Sequence, residues 1–251
     1  MWTRGQLKSQ AKKSFRGDYG KSVVAVLILY VITIICAGTS MLSSLSSLYK
    51  SIMMNREFLD GVEGVEALDS MSGAAGAIST GNMIVNLVSL FILPILAIGI
   101  CRLFMRMRYK KAEYSDLVYR FKNRYLSAWG TSLLMGIFIM LWSLLLFIPG
   151  IIKQYSYRMI PYILAENPNI GYKKAFEISK KTMKGEKWRL FVLDLSFIGW
   201  DILTVLTLGI ATIFWIRPYK EATYAEFYAV MREKAFAQSL ATSEELPGFE
   251  D

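Results

Sequence analysis

The sequence predicts an all-helical membrane protein, a bundle of about six transmembrane helices with an amphipathic helix at its amino terminus. The chain is 54% hydrophobic, whereas soluble domains are roughly 45–50% apolar. Apolar runs of about 20 residues, the length that crosses a bilayer, also recur along it. The longest run, residues 187–234, fits two crossings with a turn at Gly209, because glycine accepts the backbone angles of a helix end.

These runs define one expected membrane domain over residues 1–235, followed by an acidic tail over residues 236–251 that we expect to be disordered. The predicted spans are 22–42, 83–101, 126–148, 151–166, 188–207 and 210–231. Pro94 predicts a kink that a membrane helix tolerates. The segment 151–166 is short and rich in tyrosine, and a re-entrant geometry is its alternative.

Residues 1–21 predict an amphipathic helix that lies on the membrane surface. Thr3 can cap this helix, Gly17 can end it, and Leu7, Ala11 and Phe15 recur at helical spacing. The basic residues expected to contact anionic lipid headgroups are Arg4, Lys8, Lys12, Lys13 and Arg16. A cleavable signal peptide is disfavoured, because the basic region is long and no small-x-small cleavage site follows.

The charges of the loops predict the orientation. Segment 50–81 holds five acidic and two basic residues, as expected outside the cell, whereas segments 102–125 and 167–189 are strongly basic, as expected in the cytoplasm. Both termini are then cytoplasmic, and 151–166 must return the chain to that side. We also expect a surface helix over 170–184. Its expected caps are Asn169 and Gly185, and its expected membrane contacts are Tyr172, Ala175, Phe176 and Met183.

Charged residues within the last three predicted spans form a candidate polar cluster: Lys153, Arg158, Asp194, Asp201 and Arg217. Intramembrane charges are expensive, so they face protein or a water-filled cavity. Either ion pairs lock these spans together, with Arg217 as the first expected partner of Asp201 and Lys153 as the second, or spare positive charge binds an anionic headgroup or peptide carboxylate. We interpret the tyrosines nearby as interface anchors.

Several kinds of chemistry are excluded or disfavoured. The chain has no histidine, which excludes serine–histidine hydrolases and histidine-ligated zinc. Asp194 and Asp201 are about 10.5 Å apart along a helix axis, too far to share a proton. Cys36 and Cys101 occupy different apolar runs, which favours buried thiols over a disulfide. We therefore expect no enzyme activity, no cofactor, no metal and no nucleic-acid partner.

Four phrases resemble a known family: MWTRGQLKSQAKKSF, FIPGIIKQYSYRMIPYILAENP, KAFEISKKTMKGEKWRLFVLDLSFIGW and IRPYKEATYAEFY. Together they resemble the bacterial family of unknown function numbered nine hundred and seventy-five, of Firmicutes type. That family is allied to the membrane domain of glycerophosphodiester phosphodiesterases. The resemblance implies an integral membrane protein of a Gram-positive bacterium without an established activity. No phosphodiesterase domain accompanies the membrane segments, so that activity does not carry over.

The function expected from these observations is that of a non-catalytic component of the cell envelope. Such a protein would bind lipid or peptide or support a partner, and its expected partners are anionic membrane lipids and a membrane protein or second copy. The alternative is a transporter or flippase-like protein for an anionic lipid or peptide. A continuous polar cavity would favour the alternative, and charges sealed in pairs would favour the first interpretation.

Overall fold

The structure is a computed structural model that describes residues 2–35 and 65–249 of the chain. Every regular element in these ranges is helical, which confirms the all-helical prediction for that part of the protein. The elements are α1 (Arg4–Gly17), α2 (Tyr19–Ile35), α3 (Val65–Met107), α4 (Ser115–Lys122), α5 (Tyr125–Leu145), α6 (Phe147–Ser156), α7 (Ile160–Glu166), α8 (Tyr172–Thr182), α9 (Lys187–Leu195), α10 (Ile198–Leu206), a π-helix (Thr212–Ile216) and α11 (Arg217–Ala237).

The chain divides into two compact units, one formed by Met1–Leu27 with Pro94–Asp251 and the other by Ile28–Leu93. The second unit holds the end of α2 and the first part of α3. Several of its described apolar side chains, among them Ile34 and Met83, are exposed, as suits helices that contact lipid. The single domain expected over residues 1–235 stays a prediction.

Two helices of the described residues are long and apolar enough to cross a membrane, Val85–Met107 and Tyr125–Leu145. They coincide with the spans predicted at 83–101 and 126–148. The pair α1 and α2, bent by 95°, would be a third if it counts as one span. The predicted span 22–42 runs beyond Ile35 and so lies partly outside the described residues.

The other three predicted spans are each broken into shorter pieces. Segment 151–166 divides into α6 and α7, segment 188–207 into α9 and α10, and segment 210–231 into the π-helix and α11. Each straight piece except α11 is much shorter than the roughly 20 residues that cross a bilayer. The turn expected at Gly209 is present, since its φ is 86°.

The amino-terminal helix α1 packs inside the protein. Thr3 and Gln6 form a reciprocal capping box, and the helix ends at Gly17 as predicted. Its apolar stripe of Leu7, Ala11 and Phe15 is fully buried, largely against α11. The stripe therefore stabilises the fold instead of entering lipid, since α11 supplies the apolar partner that the sequence assigned to the membrane.

Helix α8 also differs from its predicted boundaries. It begins at Tyr172 without a side-chain cap, and Asn169 instead donates its backbone N–H to Asn167 Oδ1 at 2.8 Å. Gly185, with φ of 84°, follows the end of the helix. Ala175 and Met183 are buried in the protein rather than on a membrane, because α7 and α11 cover this side of α8.

The carboxyl-terminal segment from Ala241 to Phe249 is docked rather than disordered. Leu246 is only 1% exposed, and the Gly248 N–H donates to Glu166 Oε1 at 2.7 Å. Glu245 pairs with Lys174 at 3.1 Å. The acidic composition suggested a solvated tail, but its carboxylates and backbone find basic and buried partners on α7 and α8.

Candidate functional site

Asp201 and Arg217, expected to pair with each other, have different partners. Asp201 Oδ1 lies 2.5 Å from Lys220 Nζ on α11. Arg217 Nε lies 2.8 Å from Glu221 Oε1, one turn along its own helix. The pairing of Asp201 with Arg217 was therefore wrong, because Arg217 has an acceptor at the i+4 position where helical side chains meet. The ion pair between α10 and α11 exists, but through Lys220.

Asp194 is held by two phenols instead of by a cation. Tyr155 on α6 donates to its Oδ2 at 2.8 Å, and Tyr224 on α11 donates to its Oδ1 at 2.6 Å. The Arg158 guanidinium lies over the Tyr224 ring, 4.2 Å from its centroid. We predicted these tyrosines as interface anchors, and they instead join α6, α9 and α11 around one carboxylate.

Lys153 forms no ion pair with either aspartate in the described part of the chain. Its Nζ is 4.3 Å from the centroid of the Trp142 ring on α5, a cation–π contact. The second expected partner of Asp201 is therefore also wrong. The five residues of the predicted cluster thus fall into separate groups. Among them, Asp194 and Arg158 share a contact residue, because both contact Tyr224.

Four of the five predicted lipid-contacting residues are exposed on α1: Arg4, Lys12, Lys13 and Arg16. Lys8 is half-buried, because its Nζ donates to Ser196 O at 3.1 Å and lies 4.2 Å from the centroid of the Phe197 ring. Burial, with the charges of Arg4 and Lys12, lowers the pKa of Lys8. Lys8 therefore ties α1 to the α9–α10 junction and is not free for a headgroup.

A family model matches residues 1–152 and 144–235, almost the whole chain. The chain belongs to the family "Protein of unknown function (DUF975)". No curated protein and no solved structure matches it. The DUF975 chain is thus a member of a family without an assigned activity, and its chemistry has to be argued from its own residues.

A second polar network joins the two ends of the DUF975 chain. Glu186 accepts from Trp2 Nε1 at 3.0 Å, from Arg189 Nη1 at 3.1 Å and from Lys234 Nζ at 3.1 Å. Burial raises the pKa of Glu186, but the hydrogen bonds from Lys234 and Trp2 outweigh it and leave the pKa below its ordinary value. Sequence analysis missed this network, because no spacing rule links residues so far apart along the chain.

A third network connects α3 to α4 across the basic segment between them. Asp116 Oδ1 accepts from Arg102 at 3.2 Å and from Arg106 at 2.7 Å. The backbones of α3 and α4 touch here, since a Cβ on Gly99 would lie 2.2 Å from Leu117 O. The signal that could have found this network is the presence of a single central aspartate among many basic residues.

The described residues offer few groups for redox or metal chemistry. Cys101 is buried, as predicted, and Cys36 lies outside the described residues. No group of three metal-ligating side chains occurs among the residues that the structure describes. The site residues present can therefore hold charges and orient helices, and they offer tyrosine, carboxylate and guanidinium groups to an anionic ligand.

Proposed function

We propose that this DUF975 protein is a non-catalytic, multi-pass component of the cell membrane that has both termini in the cytoplasm and binds anionic lipid at its cytoplasmic face. One observation carries this proposal. The segments with the strongest basic bias, which lie far apart along the chain, contact one another through hydrogen bonds and ion pairs.

Three contacts link these segments. Lys21 Nζ donates to Ala112 O at 2.8 Å, which joins the amino terminus to the first basic loop. Glu186 joins the second basic loop to Trp2 and Lys234, near the two ends of the chain. A hydrogen bond cannot reach across about 30 Å of hydrocarbon, so these contacts support a common side of the membrane for these segments. If the apolar helices between these segments cross the membrane, they cross in pairs, and we propose three membrane hairpins.

The exposed apolar side chains support the same arrangement for the hairpins over 125–166 and 187–237. They concentrate around the two reversals of direction, where the residues concerned are Met140, Leu144, Leu145, Ile148, Ile202, Val205, Leu206, Leu208 and Ile210. Leu208 is 91% exposed. Soluble proteins rarely expose contiguous apolar patches of this kind, and lipid is the solvent that suits them.

Lipid binding is assigned to the exposed side of α1, the surface formed by Arg4, Lys12, Lys13 and Arg16. Because the apolar stripe of α1 is anchored on α11, the helix holds its basic side chains in fixed positions. Each basic residue near an anionic membrane surface contributes about 1 kcal/mol of attraction.

The charges of the polar cluster favour a structural role over transport. Asp201, Arg217 and Asp194 each have a partner within the protein. The alternative, a transporter or flippase-like protein for an anionic lipid or peptide, rests on Arg158. This residue stacks on Tyr224, and the described residues place no carboxylate in ion-pair contact with it.

Lipid binding is tested with the purified protein in detergent and added phosphatidylglycerol. Lys12→Gln with Lys13→Gln should retain less phosphatidylglycerol in native mass spectra while the melting temperature without lipid stays unchanged. The matched control is Lys173→Gln with Lys180→Gln, which removes the same charge from exposed positions of α8. Equal retention in both double variants would contradict the role of α1, and loss of retention in Arg158→Gln alone would favour the transporter.

A further inference from the structure

Arg120 on α4 is a fully enclosed cation that has no ionic partner among the residues that the structure describes. Its side chain is 0% exposed, and it is the largest fully buried side chain described. Within the described ranges, its Nε and Nη2 atoms have no hydrogen-bond acceptor, and Nη1 donates to Asn123 O at 3.4 Å. Enclosing a charge in this way is costly unless a counter-charge or acceptor completes it.

The acidic residues of the same segment are engaged elsewhere. Asp116 is shared by Arg102 and Arg106, and Glu113 accepts from Ser115 Oγ at 3.0 Å. Burial lowers the pKa of Arg120 to about 10, so the guanidinium remains charged at neutral pH. Among the described residues, this buried positive charge therefore has no balancing carboxylate.

Arg120 lies at the amino terminus of α5, a helix of 21 residues. Its Nη1 contacts the carbonyl of Asn123, and α5 begins two residues later without any side-chain cap. Leu126 and Ser127 lie in the first turn of α5. Their backbone N–H groups therefore have no carbonyl acceptor within the helix. These donors and the positive end of the helix dipole attract an anion to the same place as the guanidinium.

We propose that Arg120 and the amino terminus of α5 form a binding site for a phosphate group, carried by a lipid or by a soluble phosphate. Phosphate has enough oxygens to accept hydrogen bonds from both the guanidinium and the helix N–H groups. A planar guanidinium binds phosphate in a bidentate manner. This site is separate from the basic surface of α1.

The test compares melting temperatures in detergent, in sodium phosphate and in sodium chloride of equal ionic strength. Phosphate should raise the melting temperature of the wild type and of the control Lys122→Met, an exposed charge on the same helix. Arg120→Met should lose this increase, and Arg120→Lys should keep only part of it. In chloride, Arg120→Met should be at least as stable as the wild type, because it removes an unbalanced charge.

The source of the phosphate is separated by a second arm, in nanodiscs of phosphatidylcholine with and without phosphatidylglycerol. If phosphatidylglycerol but not inorganic phosphate raises the melting temperature, and Arg120→Met loses this increase, the site binds a lipid headgroup. If inorganic phosphate but not phosphatidylglycerol raises it, and Arg120→Met loses this increase, the site binds a soluble ligand. An equal rise in Arg120→Met, or no rise in the wild type from either source, overturns the proposal. If Arg120→Met does not fold, binding of labelled phosphate or phosphatidylglycerol is compared between the wild type and Arg120→Lys. Saturable binding that is the same in both proteins also overturns the proposal.

Discussion

Asp201 and Lys220 connect the two arms of the last hairpin through one ion pair, with 2.5 Å between Oδ1 and Nζ. The Asp201 side chain is 51% exposed. The contribution of the ion pair to stability therefore depends on whether lipid or water surrounds this side chain. Double-mutant cycles of water-exposed pairs give about 0.2–1 kcal/mol. We expect Asp201→Asn with Lys220→Gln to show a coupling energy of at least about 1 kcal/mol in detergent, the upper end of that range.

Arg217 provides the control for this cycle. It is three residues from Lys220 and bonds to Glu221 instead, so Asp201→Asn with Arg217→Gln should give additive losses of stability. Coupling of Asp201 to Arg217, with none to Lys220, would contradict the pairing in the structure.

Glu186 makes the stability depend on pH at a site outside the predicted spans. Its pKa is lowered in the fold, so its contribution is present above the unfolded pKa of about 4.3 and is lost as the pH falls through the folded value. Glu186→Gln should cost about 1–3 kcal/mol at pH 7, because Lys234 and Trp2 lose a charged acceptor. The difference between variant and wild type should shrink as the pH falls below about 4.3 and should vanish once the pH is below the lowered pKa of Glu186 in the fold.

The measurement is chemical unfolding in detergent across this pH range. Glu177→Gln is the control, since Glu177 forms an exposed pair with Lys181 at 2.6 Å and should leave the unfolding midpoint nearly unchanged. A constant difference between Glu186→Gln and wild type at every pH would exclude the titration of Glu186 as its cause.

At the scale of elements, the docked carboxyl-terminal segment should contribute measurably to stability. Leu246 is buried beside Arg232, whose Nη2 donates to Leu246 O at 2.9 Å. Leu246→Ala should destabilise the docked state by roughly 2 kcal/mol, the low end for buried leucine, because the segment can relax. Hydrogen exchange at the Gly248 amide should quicken. Glu244→Ala, at an exposed position of the same segment, should leave that exchange unchanged.

Local signals in the sequence set several helix ends correctly. Thr3 caps α1, Gly17 ends it and Gly209 forms the last turn, because capping and left-handed backbone depend on nearby residues only. Partner choice could not be predicted in the same way. Whether the stripe of α1 meets lipid or α11, and whether Asp201 meets Arg217 or Lys220, depends on how helices far apart in sequence are brought together.

For the whole molecule, the network around Glu186 and the Lys21 contact support the proposal that both termini and both basic loops share one side of the membrane. The loop charges and these contacts support the same sidedness independently. The loop charges depend on where lysines and arginines lie in the sequence, whereas the contacts depend on how the helices pack. The loop charges predict this sidedness, which stays a prediction, whereas no local signal predicts the breaks at Ser156 and Ser196 that shorten the helices of the last two hairpins.

Single cysteines placed in a background lacking Cys36 and Cys101 test this arrangement with a membrane-impermeant maleimide on intact cells. Lys110→Cys and Lys180→Cys, both exposed, should label only after permeabilisation, whereas Glu63→Cys, outside the described residues, should label from outside. Ile148→Cys, at the tip of the second hairpin, should label from outside if that hairpin crosses the bilayer fully and remain protected if it is re-entrant. Labelling of position 180 but not of position 63 would reverse the proposed orientation. Labelling of position 180 but not of position 110 would put the two basic loops on opposite sides and would contradict the arrangement proposed from the contacts of Lys21 and Glu186.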